Sequence, residues 1–136
     1  GALAGFIFAF LNMALYDVVT NKVGIWTLIT AVSYGILGIW SAYYFKKRAM
    51  KRLNYVKFAI IGTLFFDAVT GLSIGPLFFN QSFIEAFVGQ IPFTALHLVG
   101  NIGFAIVLSP LVYQFVIQNK KFETASIMTT LNLKRA

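Results

Sequence analysis

A histidine, an asparagine and two aspartates lie among apolar residues, and these are the side chains of this chain with chemistry to offer. His97 and Asn101 fall within the run from Ile91 to Leu111, an apolar stretch long enough to cross a bilayer, and His97 is the chain's only histidine. On a helix, residues four apart share a face, so His97 and Asn101 look the same way, with Phe93 and Thr94 a turn earlier. Polar side chains are costly in hydrocarbon, so this face is expected to point into the protein or a cavity. The same pair also has a purely structural reading, an interhelical hydrogen bond that locks a bundle and is worth about 1 kcal/mol.

Asp67 poses the same question. If its helix starts at Lys57, it lies about 15 Å along the axis, near the middle of a membrane, and must be buried, paired or neutral. It then binds a ligand or a proton; alternatively the helix breaks near Thr70-Gly71 and Asp67 caps a neighbour or holds a loop. Asp17 stands beside Thr20, Asn21 and Lys22, residue types of an interfacial turn, which favours a structural role. Trp26 follows Gly24 at the end of an apolar span, where an aromatic plate could cover a ring-shaped ligand. The other aromatics, Tyr34, Trp40, Tyr43 and Tyr44, read as belt or packing residues.

The elements that position these side chains follow from composition. The chain is 59% hydrophobic and 11% charged with a mean hydropathy of +0.80, whereas a soluble domain carries about 25% charged residues. It is therefore expected to be an all-α, polytopic membrane protein. Four candidate spans, each of about 20 apolar residues, fall at 1–19, 25–45, 56–79 and 93–117, and no domain boundary is visible between them. Lys46, Lys47, Arg48, Lys51, Arg52 and Lys57 cluster between the second and third spans, and Lys120, Lys121, Lys134 and Arg135 follow the fourth. By the positive-inside rule those segments, and the C-terminus, are cytoplasmic in a plasma-membrane protein. The tail 122–136 reads either as an interfacial helix or as disordered. The sequence opens at Gly1 inside an apolar run, without an initiator methionine or basic flank, which reads as a chain whose first portion is missing.

The net charge of +7 sits in short juxtamembrane loops, which suits anionic headgroups rather than nucleic acid. No cysteine is present, and one histidine with four acids leaves little from which to build a metal centre, so no metal or cofactor is expected. Phosphate-cradling glycine loops with lysine, Gly-x-Ser-x-Gly, paired carboxylates and His-Glu-x-x-His are all missing, so no catalytic residue is assigned and no enzyme is expected. Small residues recur at four-residue spacing at Gly1, Gly5 and Ala9, and at Ala31 and Gly35, which permits close helix contact within the chain or with a partner.

An internal echo is also present. Tyr16-Asp17-Val18-Val19-Thr20 returns as Phe66-Asp67-Ala68-Val69-Thr70, each copy followed by a second apolar span. Two related helix hairpins, as in transporters built from repeats, would produce this pattern, and so would coincidence among common membrane residues.

The segments Gly1-Ala2-Leu3-Ala4-Gly5-Phe6, Tyr16-Asp17, Gly24-Ile25-Trp26-Thr27-Leu28 and Tyr34-Gly35-Ile36-Leu37-Gly38, with Pro92 to Asn101, resemble the substrate-binding S component of energy-coupling factor (ECF) vitamin transporters. The resemblance covers most of residues 1–117. It implies the last four helices of a six-helix bundle. It also implies a pocket open to the outside that takes a vitamin or similar micronutrient, and docking on a transmembrane coupling subunit driven by two ATPase subunits. By matching position, Trp26 and Thr27 would sit at the outer pocket, with Asp67, Phe93, His97 and Asn101 lining it. Two other readings remain beside it: a secondary carrier in which Asp67 and His97 relay a proton or ion, and a non-transporting accessory subunit in which both residues only pack.

Overall fold

A computed structural model describes residues 1–118 of the chain, so the expectation for the tail 122–136 lies outside the described residues. The described part is helical: α1 (Ala2–Val19), α2 (Ile25–Lys46), α3 (Arg52–Gly71), the short α4 (Ile74–Phe78) and α5 (Phe83–Val112), which ends in a wide π-turn over Tyr113–Ile117. Four helical segments are long and apolar enough to span a membrane: Ala2–Val19, Ile25–Lys46, Arg52–Phe78 and Phe83–Ile117. The chain is a helical, multi-pass membrane protein.

Burial supports the same conclusion. Among the described residues the only buried hydrophobic ones are Ala31, Ala86 and Ala105, while Asp17, Thr30, Ser33, Thr63, Asp67 and Thr70 are buried and Leu3, Phe8, Leu96 and Val99 lie more than 70% exposed. A water-soluble domain buries its leucines and phenylalanines. Here lipid solvates them, and small and polar residues are left to make the helix contacts.

Two span boundaries differ from the hydropathy reading. The third helix starts at Arg52 and its membrane-length segment runs to Phe78, so Asp67 lies near the middle of that segment, four residues before α3 ends at Gly71. The fourth starts at Phe83 instead of Phe93. Ser82 and Glu85 form a capping box, in which the Glu85 N–H donates to Ser82 Oγ (3.2 Å) and the Ser82 N–H donates to Glu85 Oε2 (2.9 Å). Thirty residues of α5 extend about 45 Å, more than the roughly 30 Å of hydrocarbon, so hydropathy alone leaves its more polar first turns outside the span. Pro92 lies inside the helix, where it leaves the Val88 carbonyl without its usual partner.

The helices pair in chain order. α1 packs along α2, α3 along α5, and α2 meets α3 over a shorter contact. The first hairpin closes through its small residues: a Cβ on Gly5 would stand 2.6 Å from the Gly38 carbonyl oxygen, and one on Gly38 would run into the Gly5 backbone. The small-residue spacing of the sequence is thus used within the chain. The hairpins are joined at the end near the basic loop by aromatic rings. Trp40 meets Phe58 and Phe65, each at 5.9 Å between centroids, and Tyr44 and Phe45 also pack on Phe58. At the distal end Trp26 meets Phe79 at 6.0 Å.

Candidate functional site

Asp67 is 1% exposed, held between α3 and α5. His97 comes from the facing helix and places Nδ1 2.8 Å from Asp67 Oδ1. With the carboxylate ionised, Nδ1 carries the proton and donates, which leaves Nε2 as the free ring nitrogen. Asp67 Oδ2 is buried without a hydrogen-bond partner. One turn towards the basic end, Asn101 Nδ2 donates to Thr63 Oγ1 at 2.7 Å. Positions 63 and 67 on α3 therefore face 101 and 97 on the antiparallel α5, two rungs one turn apart. Four-residue spacing on both helices makes this register possible. A turn further from the basic end, Gln90 Nε2 donates to Thr94 Oγ1 at 3.2 Å, so the polar stripe on α5 runs from Gln90 to Asn101.

These rungs form the polar wall of a cavity of about 320 Å³ between α2, α3 and α5. Thr63, His97 and Asn101 line it with Tyr34 from α2, and Phe66, Phe58, Phe45 and Phe104 supply aromatic walls. Tyr34 sets its ring edge-on to Phe66 at 4.7 Å, and Phe66 also approaches His97 at 6.1 Å. The cavity runs from the Asp67–His97 level towards the basic end, where Tyr55 and Ser109 border it. His97 is its only ionisable base and no carboxylate lines it, so it suits an uncharged, planar molecule that accepts and donates a few hydrogen bonds.

The residues singled out from sequence separate into two places. Asp67, His97 and Asn101 come together as described. Phe93 packs its ring 5.5 Å from His97 but is 54% exposed and does not line the cavity. Trp26 and Thr27 lie at the distal turn. The Trp26 indole donates from Nε1 to the Lys22 carbonyl (3.1 Å) and its ring lies over Gly24, where a Cβ would meet it at 2.5 Å. The Thr27 hydroxyl donates to Asp17 Oδ2 at 2.6 Å and accepts from the Gly24 N–H at 3.0 Å, so it ties the end of α1 to the start of α2. Asp17, 3% exposed, is thus the fastener of the first hairpin.

Tyr34, Thr63 and Phe66, which the sequence does not single out as site residues, also line the cavity. Thr63 was signalled by its position one turn before Asp67 and Phe66 by adjacency to it; Tyr34 had no local signal, because only the α2–α3 packing brings it to the cavity. The echo between the hairpins has a local structural counterpart. Thr20 Oγ1 donates to the Tyr16 carbonyl (2.7 Å) and Thr70 Oγ1 to that of Phe66 (2.8 Å), and in each copy the aspartate reaches the returning helix, at Thr27 or at His97. Among the described residues no three His, Asp or Glu side chains converge as metal ligands would.

Comparisons with models of protein families, with curated proteins and with solved structures find no match for this chain.

Proposed function

We propose that this chain is a membrane-embedded substrate-binding subunit of the ECF importer type, which captures a vitamin-like micronutrient and passes it through a coupling subunit driven by separate ATPases. The observation that carries the reading is the aromatic cavity of about 320 Å³ whose polar groups, Tyr34, Thr63, His97 and Asn101, converge from three helices. Two of those groups are held in place by partners: His97 by Asp67, which stands behind the cavity wall, and Asn101 by Thr63, which lines the cavity with it. Fixed polar groups in an apolar cavity give specificity, and ordering them in advance lowers the entropy lost when a ligand binds. The resemblance of residues 1–38 and 92–101 to S components supports the same reading.

A secondary carrier is the second reading, and the buried carboxylate with one unpartnered oxygen favours it. Reconstitution separates the two. Uptake of the co-purified ligand into proteoliposomes that requires the coupling subunit and ATP hydrolysis is the result expected here. Uptake by this protein alone, driven by a proton gradient and lost in Asp67→Asn, would establish the carrier instead.

A further inference from the structure

A second cavity lies at the basic end of the molecule, apart from the site above. It has a volume of about 330 Å³ and is bordered by Tyr44 on the last turn of α2, by Arg48 in the loop just beyond it, and by Asn54, Lys57, Ile60 and Ile61 on the first turns of α3. We propose that this cavity binds an anionic phospholipid, with the lipid phosphate held between Arg48 and Lys57 and the start of an acyl chain laid along Ile60 and Ile61.

The order of the residues carries the inference. Asn54, Lys57 and Ile61 follow at helical spacing on one face of α3, so the lining changes from polar to cationic to apolar with distance from the loop. A phospholipid anchored at a membrane surface has the same sequence of headgroup, phosphate and chain. Arg48 is already positioned. Its guanidinium lies 4.0 Å from the centre of the Tyr44 ring and donates through Nη1 to the Tyr44 carbonyl at 3.2 Å, which leaves further N–H groups for an anion. The Asn54 amide is occupied by the Ala49 carbonyl at 2.8 Å and so shapes the loop rather than supplying a charge.

The local charge has no internal counterpart. From Val18 to Phe66 the sequence contains no acid, the first turn of α3 holds none, and the ion pair seen among the described residues is the distant Asp67–His97 contact. Arg48 and Lys57 are exposed, as are Lys46, Lys47, Lys51 and Arg52 around them. Anionic headgroups at a membrane surface supply the missing charge, and basic pockets between transmembrane helices are suited to them. A free phosphate ion would share the contacts to Arg48 and Lys57 but would have no use for Ile60 and Ile61.

Native mass spectrometry of the full-length protein tests the proposal, after reconstitution in nanodiscs of equal phosphatidylglycerol and phosphatidylcholine and gentle transfer to detergent. Preferential retention of phosphatidylglycerol is expected, reduced about fivefold for each charge lost in Arg48→Gln and Lys57→Gln. Arg48→Lys should keep most of the retention, and Lys22→Gln at the opposite end should leave it unchanged. Equal retention of the two lipids, or unchanged retention in the Arg48→Gln/Lys57→Gln double variant, would overturn the proposal. Displacement of the lipid by millimolar inorganic phosphate would overturn it as well, by making the site one for the free ion.

Discussion

His97 Nδ1 stands 2.8 Å from the buried Oδ1 of Asp67, a contact between α3 and α5 that joins residues thirty apart in the chain. It fixes the ring of the one histidine so that the remaining nitrogen, Nε2, is free for another partner. The helix pair and the cavity wall therefore depend on the same two side chains.

That dependence makes the single variants unequal. His97→Ala leaves Asp67 buried with neither oxygen partnered, and loss of one member of a buried pair costs about 3–5 kcal/mol. Removing both in Asp67→Leu/His97→Leu should be milder than His97→Ala alone. Thermal unfolding in detergent measures the ordering of the three proteins.

The second rung separates packing from binding. Asn101→Ala or Thr63→Val should cost about 0.6 kcal/mol of stability, the average for a hydrogen bond between membrane helices. If the cavity takes a ligand, Asn101→Ala should weaken binding at least tenfold, well beyond that small change, as isothermal titration with the identified ligand would show.

At the distal turn, Thr27→Val removes both the hydroxyl bonded to Asp17 and the acceptor for the Gly24 N–H. Losing a helix cap costs about 1 kcal/mol, and the freed aspartate adds to it. Thr27→Ser should restore most of the loss in the same unfolding assay, while ligand affinity changes little because Thr27 does not line the cavity.

The glycines divide in the same way. Gly38→Leu puts a side chain into the Gly5 backbone and should cost at least the roughly 1–3 kcal/mol typical of overpacking, or prevent folding outright. Gly100→Leu, where nothing lies within 4 Å, should leave the thermal stability of the isolated protein within about 0.5 kcal/mol of the parent.

Fold class was legible because lipid imposes it: runs of about 20 apolar residues have few other uses. The shared face of His97 and Asn101 was legible from four-residue spacing, which is local. The partners were not, because Asp67 and Thr63 reach that face only through the antiparallel register of α3 and α5. Hydropathy missed the first ten residues of α5, since Ser82, Glu85 and Gln90 read as loop although the capping box starts a helix there. The sequence leaves Trp26 open as a ligand cover; in the structure its indole bonds the Lys22 carbonyl and its ring meets Phe79, away from the lining of the cavity.

The cavity between α2, α3 and α5 is proposed to hold a small organic molecule. Native mass spectrometry of the gently purified full-length protein tests it most directly. A stoichiometric adduct of vitamin size that is lost in Asn101→Ala, a variant expected to remain folded, is the expected result. A clean unliganded mass after growth in rich medium, or an adduct that persists unchanged in Asn101→Ala and Tyr34→Phe, would contradict it.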